Sequence, residues 1–322
     1  MARILLTGAN GFVGKVLQRR LLKSNHEVVG TMASTPAPAE CECDYQVMDI
    51  CDRAQVEAVI QRVKPTHLVH LAAVSNVAVS FKEPLLTWHT NVIGTLNLME
   101  ELKAHAPECF TLFVSSSEVY GESFKSGQVL DENATCVPMN PYAASKLAAE
   151  HAVMQYLRQG MPGVVVRPFN HIGPGQSADF VTASFARQIV WIEAGLQPPV
   201  LKVGNLDASR DFLNVHDVCE AYAMLLDADR DQLQHRTYNI ASGASRQIRS
   251  VLQALLAEAT VPITVQTDPD RLRPSDIPVA AGANARIKAA VGWVPTTPLA
   301  HTVRDILDYW RGQALLELPI TE

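Results

Sequence analysis

The stretch from Arg3 to Lys15, Arg-Ile-Leu-Leu-Thr-Gly-Ala-Asn-Gly-Phe-Val-Gly-Lys, leaves a chain of this kind little choice of fold. Ile4, Leu5 and Leu6 form an unbroken apolar run, the mark of a strand covered on both faces. Gly8, Gly11 and Gly14 follow, and Val16, Leu17, Leu21 and Leu22 then recur at helical spacing. A strand that turns through glycines into a helix has the build of a dinucleotide site. Gly8 permits the tight turn, Gly11 lets backbone approach a pyrophosphate, Gly14 lets helix and strand pack closely, and the helix N-terminus faces the phosphates. The spacing is Gly-x-x-Gly-x-x-Gly, and the plain alternative is a glycine-rich turn without a ligand.

The same alternation continues. Glu27–Thr31 reads as a strand, Val47–Asp49 as the end of a third, Arg53–Val63 as a helix and His67–Ala72 as a fourth strand. Residues 84–105 have helical period, Thr111–Ser115 is a strand, Pro141–Arg158 a long helix and Gly163–Arg167 another strand. This order predicts an α/β fold of Rossmann type, a doubly wound parallel sheet with helices on both faces. Ligands then lie beyond the C-terminal strand ends, where Gly8, Asp49, Ala72, Ser115 and Pro168 all fall. After Phe169 the texture changes to a loop at Gly173–Gln176, a helix at 179–194, a short strand at 198–204 and a helix at 217–227. Tyr238–Ala241 reads as a strand returning to the main sheet. Residues 248–257, 261–266 and 299–312 suggest a smaller mixed lobe. The expected division is residues 1–169, with the return strand near 237–243, as the dinucleotide-binding part, and 170–236 with 244–322 as the lobe, a cleft lying between them.

Bulk properties exclude several classes. The chain has 322 residues, long enough to bury a large core. Its net charge of −6 and lack of a basic run argue against a nucleic-acid surface. No apolar run reaches the roughly 18 residues of a membrane span, and no h-region of a signal peptide opens the chain. The six cysteines form no Cys-x-x-Cys pair, and although Cys41 and Cys43 are close, nothing completes a zinc site. Reduced thiols in a cytoplasmic protein without a metal are the expectation.

Tyr142 and Lys146 are the sharpest chemical feature. They stand four apart on a helix that Pro141 can begin, so both project from one face. Tyrosine ionises near pH ~10. A neighbouring ammonium favours phenolate and brings proton exchange closer to neutrality, which suits a general acid that protonates a carbonyl oxygen as hydride reaches its carbon. Lys146 can also hold a nicotinamide ribose. Ser116, just after a strand and 26 residues before Tyr142, supplies a second donor to the developing oxyanion. Alone, Tyr-x-x-x-Lys is as consistent with a surface pair; the glycine turn and the serines give it meaning.

These motifs resemble the extended short-chain dehydrogenase/reductase family over the whole chain. The matching residues are Thr7-Gly8-Ala9-Asn10-Gly11-Phe12-Val13-Gly14, Asp49-Ile50, His70-Leu71-Ala72-Ala73, Asn91, Ser115-Ser116, Tyr142-x-x-x-Lys146 and Arg167-Pro168-Phe169-Asn170. The resemblance implies a catalytic Ser116, Tyr142 and Lys146. It implies cofactor contacts from Gly8, Asn10, Gly11, Phe12, Val13, Gly14, Ala73 and Ser115, with Asp49 and Ile50 at the adenine, Leu71 and Ala72 at the pyrophosphate and ribose, and Pro168 and Phe169 at the nicotinamide. Asn91 is a structural and cofactor-side residue in the family, though an Asn in a helix often only bonds backbone. The resemblance also implies a homodimer through the helices near 84–105 and 141–158.

Further stretches, Arg167–Gln176, Phe180–Thr182, Val203–Leu206, Ser209–Phe212 and Arg271–Asp276, resemble the branch that handles GDP-mannose derivatives, and among these its 4-keto-sugar reductases. A nucleotide diphosphate needs cations in an otherwise acidic protein, and Arg210 and Arg273 suit bidentate contacts; Arg210 beside Asp211 is otherwise a surface ion pair. Asp276 would accept ribose hydroxyls, and Asn170, Val181 and Val203 would line the base and diphosphate pocket. Arg187, on a helix face, reads more simply as solvated. The second strand ends without an acid to hold a 2′-hydroxyl and without an Arg, but Thr31 and Ser34 can bond a phosphate or a hydroxyl, so NADP(H) is expected with NAD(H) tolerated. Glu118, two places after Ser116, is the residue a 4,6-dehydratase would use as an extra acid/base, so it is carried as a substrate-side residue and dehydration as the rival reaction. A 4-epimerase and a non-catalytic nucleotide sensor are the remaining alternatives.

Overall fold

The computed structural model describes residues 1–33, 42–271 and 277–317. Seven parallel strands form the central sheet: β1 (Arg3–Thr7), β2 (Glu27–Met32), β3 (Asp44–Val47), β4 (His67–His70), β5 (Phe110–Val114), β6 (Gly163–Pro168) and a last strand at Thr237–Ile240. Their spatial order is β3-β2-β1-β4-β5-β6 and then 237–240, so the order reverses between β1 and β4.

Alternation along each strand explains why these runs are apolar throughout. Ile4 and Leu6 face one core with Val69, Leu112, Val164 and Val166, whereas Leu5 faces another with Leu68, Phe113 and Val165. The first core is closed by α1 (Phe12–Lys23) and by a helix at Val215–Asp227. The second is closed by α2 (Arg53–Val63) and by the pair running through 94–105 and 141–158.

The helical stretch expected over 84–105 is divided. After α3 (Val77–Lys82), which the sequence reading missed, come α4 (Pro84–Trp88), a π turn at His89–Ile93 and α5 (Gly94–His105). One extra residue per turn does not disturb apolar spacing enough to be read from sequence, and such turns gather at functional sites. α6 (Pro141–Arg158) begins as expected: Asn140 accepts the Ala143 amide at 2.8 Å and Pro141 takes the first helical position.

Beyond Phe169 the elements are short: β7 (Asn170–Ile172), α7 (Val181–Glu193), β8 (Val200–Val203), β9 (Ser209–Arg210), β10 (Phe212–Asn214) and α8 (Val215–Asp227), then β11 (Thr237–Ile240). β12 (Arg246–Gln247), α9 (Ile248–Ala257), β13 (Thr264–Thr267), β14 (Val279–Ala280), α10 (Ala285–Val291) and α11 (Leu299–Glu317) complete the described chain. A third core joins α7, α9 and α11 over β8. β11 pairs in parallel with β6, Thr237 opposite Val165.

Candidate active site

The C-terminal ends of β1, β4, β5 and β6 open into a cleft of about 760 Å³ whose far side comes from β7, α7 and β9. At its start Gly8 turns the chain with φ +70°, a left-handed backbone that favours glycine. A Cβ on Gly14 would lie 2.3 Å from the Gly8 carbonyl oxygen, so α1 can begin this close to β1 only without one. Gly11 is the N-cap of α1 and brings no capping side chain, leaving the first amides of the helix for another acceptor.

A chain of hydrogen bonds ties this turn to α6. Ala72 N–H donates to Thr7 Oγ1 at 3.2 Å, and Thr7 Oγ1 lies 2.7 Å from His70 Nδ1. His70 Nε2 lies 3.0 Å from Thr95 Oγ1, whose proton goes to the Asn91 carbonyl at 2.6 Å. Since Thr95 spends its one proton there, it accepts from Nε2–H, and Thr7 then donates to Nδ1. Asn91, inside the π turn, continues the chain: its Nδ2 donates to Ser145 Oγ at 2.9 Å, and Ser145 donates to the Tyr142 carbonyl at 2.8 Å. Its Oδ1 accepts the Val74 amide at 2.8 Å. Burial, with the Lys146 charge adding, holds His70 down to about 3, so its ring is neutral.

Ser116, Tyr142 and Lys146 all line the cleft. Ser116 caps a 3₁₀ turn at Ser117–Tyr120, accepting the Glu118 amide at 3.2 Å, and its hydroxyl favours the ionised form of the Tyr142 phenol. The expected acidification of that phenol by Lys146 does not hold. Burial pushes Tyr142 up to about 12; Ser116 opposes the rise and Glu118 adds to it. Burial also brings Lys146 down to about 7, with Glu150 opposing. Sequence places the two side chains one helical turn apart but says nothing of how dry that face is, and desolvation is the largest influence on both groups. The Lys146 ammonium rests 4.6 Å from the Phe113 ring centre.

Of the expected cofactor residues, Gly8, Asn10, Gly11, Phe12, Val13, Gly14, Leu71, Ala72, Ala73, Ser115, Pro168 and Phe169 line the cleft. Asp49 and Ile50 do not: the Asp49 carboxylate accepts the Cys51 amide at 2.9 Å, and the Ile50 side chain packs where Gly94 lacks a Cβ. Thr31 is buried, His26 pairs with Asp227 at 3.0 Å and Arg53 with Glu101 at 2.5 Å; Ser34 lies outside the described residues. The cradle of Gly8 and Gly14, the uncapped helix start and a buried Ser115 Oγ without a partner among the described residues together fit a nicotinamide dinucleotide.

On the far side Asn170, Val181, Glu118 and Arg210 line the cleft. Arg210 Nη1 donates to the Ser209 and Ile277 carbonyls at 2.8 and 3.2 Å; burial lowers its pKa, and the Glu118 charge opposes that fall. Glu118 Oε2 accepts from Asn140 Nδ2 at 3.1 Å, which links it to the cap of α6. Val203 is a correction. Alternation along β8 turns it with Leu201 into the third core, and it is 1% exposed; neighbouring Gly204 and Asn205 face the cleft instead. Arg273 and Asp276 lie outside the described residues. Arg187 stacks on Trp191 at 4.2 Å and does not line the cleft.

Among the lining residues that the sequence reading gave no role, four polar ones stand out. Arg271 reaches Ser184 Oγ at 3.1 Å. Gln176 Oε1, Thr182 Oγ1 and the Tyr222 hydroxyl are buried without a partner among the described residues. Arg271, Gln176 and Thr182 sat inside stretches already singled out but without a role of their own; nothing in the spacing marked Tyr222. Away from the cleft, Glu57, Glu101 and His105 bring potential ligand atoms within 4.8 Å of one another, but Arg53 already takes the Glu101 carboxylate.

Comparison with known proteins agrees with this architecture. The chain is 36% identical over 312 residues to the GDP-6-deoxy-D-mannose reductase of Pseudomonas aeruginosa, covering 97% of this chain and 98% of that one. It is 29% identical to the GDP-6-deoxy-D-talose 4-dehydrogenase of Aggregatibacter actinomycetemcomitans, covering 99% and 100%. The solved structure of RMD from Pseudomonas aeruginosa complexed with NADPH superposes with a TM-score of 0.85 at 35% identity, over 97% of this chain and 100% of that one. The family model described as GDP-mannose 4,6 dehydratase matches residues 5–306. On these grounds the chain belongs to the GDP-mannose 4,6 dehydratase family, within the extended short-chain dehydrogenases/reductases whose motifs it carries.

Proposed function

We propose that this chain reduces the C4 ketone of GDP-4-keto-6-deoxy-D-mannose to GDP-D-rhamnose, using NADPH in preference to NADH. The observation that carries the reading is that Ser116, Tyr142 and Lys146 line the same cleft as the glycine turn and Arg210. The whole-length likeness to a GDP-6-deoxy-D-mannose reductase supports the substrate. A relative solved with NADPH supports the coenzyme, as does a second strand that ends without an acid.

When bound, the reduced nicotinamide supplies the hydride. The chain's own residues do the rest. Ser116 Oγ and the Tyr142 phenol orient the C4 oxygen, Tyr142 gives it the phenolic proton, and the Lys146 ammonium stabilises the phenolate left behind. Lys146 also holds the nicotinamide ribose. Arg210, with Arg273, takes the diphosphate, Asn170 and Val181 flank the nucleotide, and Asp276 accepts the ribose hydroxyls. The adenine would meet Asp49 and Ile50 only by extending past the residues that line this cleft.

A homodimer in the cytoplasm belongs to the same reading. Phe81, Leu85, Leu86, Trp88 and Ile93 are exposed large apolar side chains on α3, α4 and the π turn, beside α6, and no helix of the described residues is long and apolar enough to cross a membrane.

Glu118 favours one second reading, a 4,6-dehydratase, since its carboxylate lines the cleft two residues from Ser116. Product NMR separates the two. The enzyme with GDP-4-keto-6-deoxymannose and NADPH should give GDP-D-rhamnose and consume NADPH; a talose product would correct the C4 face alone. Conversion of GDP-mannose to the 4-keto sugar without added reduced coenzyme would overturn the reductase.

A further inference from the structure

Tyr142, Lys146 and Glu150 stand at successive four-residue steps on α6, so one helix face carries a phenol, an ammonium and a carboxylate in line. Glu150 is 4% exposed and Arg167 of β6 is 7% exposed. Arg167 holds both carboxylate oxygens: Nη2 to Oε1 at 2.5 Å and Nε to Oε2 at 3.2 Å. It cannot swing away, because its Nη1 donates to the Tyr120 hydroxyl at 3.0 Å and that hydroxyl donates to Asn239 Oδ1 at 2.7 Å. The guanidinium also lies 4.9 Å from the Tyr120 ring centre.

We propose that Glu150, clamped by Arg167, is a positioning residue that keeps Lys146 protonated beside Tyr142 and so sets the pH above which the reaction fails. The surroundings of Lys146 leave it this role. On α6 the titratable groups one turn either side of Lys146 are Tyr142 and Glu150; β4 presents neutral His70, and β5 presents the Phe113 ring. Behind the pair sit the Tyr120 phenol and the Cys136 thiol, both kept neutral by burial. Among these groups Glu150 alone favours the ammonium, while burial opposes it. The competing account is that Glu150 and Arg167 merely staple α6 to the sheet.

The test follows the Lys146 proton directly, by the 13Cε shift of that lysine in lysine-labelled full-length protein, assigned with Lys146→Met. Glu150→Gln should lower the Lys146 midpoint by about 1 unit or more, as loss of a nearby opposite charge does. Because that variant buries an unpaired Arg167 and can fail to fold, Glu150→Gln/Arg167→Leu is measured beside it. Removing a buried pair together is often tolerated, and the double variant should show a smaller fall of the same sign. The alkaline limb of kcat for ketone reduction should move down with each midpoint. A midpoint in the double variant within ~0.3 unit of wild type, well inside the effect of a neighbouring charge, overturns the proposal, whatever happens to stability. The activity arm rests on the proposed function; the NMR arm does not, so a protein inert toward the ketone leaves the lysine test standing.

Discussion

The two sides of the cleft are built on opposite plans. On the side made by β1, β4, α5 and α6, polar groups bond one another in sequence from Ala72 through Thr7, His70, Thr95, Asn91 and Ser145 to Tyr142. On the side that follows Phe169, strands are two to four residues long and Gln176 Oε1 and Thr182 Oγ1 are buried without partners among the described residues. Buried polar groups normally find partners. Apart from the open start of α1 and the Ser115 hydroxyl, the first side is therefore finished by its own sequence, whereas the second has side-chain bonding capacity left for what binds.

Substitutions can break this contrast. The largest effect belongs to the phenol: Tyr142→Phe should reduce turnover by roughly 10²-fold or more, since a positioned proton donor contributes at least that. NADPH consumption at unchanged rate would remove Tyr142 from the chemistry.

Lys146→Met should also abolish turnover, yet raise stability. Burial lowers the Lys146 pKa from 10.5 to about 7, so the unfolded chain binds that proton more tightly than the folded one. The charged lysine thus opposes folding fully below pH 7, and the penalty fades as pH rises toward 10.5. Melting at pH 6 should show Lys146→Met more stable by on the order of 1–3 kcal/mol, with the gain shrinking at pH 10. A gain independent of pH would refute the linkage.

Thr95→Val tests the finished side. It leaves His70 Nε2–H unsatisfied in a dry site, which costs about 1–3 kcal/mol and should appear in the denaturation midpoint. Thr182→Val tests the unfinished side and should be the mildest change. Stability should stay within ~0.5 kcal/mol of wild type while KM for the sugar nucleotide rises several-fold. Equal loss of stability in the two variants would erase the distinction.

What could be read in advance follows the same line. Gly8, Gly14 and the four-residue step from Tyr142 to Lys146 are local patterns, and the backbone at Gly8 and the shared face of α6 follow from them. The sheet was legible because strands covered on both faces are apolar at every position. The Tyr142 shift was not, because it depends on dryness contributed by distant residues. Val203 was misassigned because alternation gives two faces without saying which is inward. The orphan hydroxyl of Thr182, inside a stretch already named, and Tyr222 altogether escaped because no sequence displays a missing partner. The π turn hid inside a period it barely disturbs.

One feature of the sheet bears on how such enzymes can be recombined. β11 joins β6 only after the chain has left through α7 and β8 and come back along α8. A single cut after Pro168 therefore does not yield two independent halves: the upstream piece keeps β6 as a bare edge, open to pairing with other chains, and the downstream piece carries a strand belonging to the other. Swapping substrate preference between relatives by splicing genes takes paired junctions flanking β11, and libraries made with one junction should yield mostly aggregates.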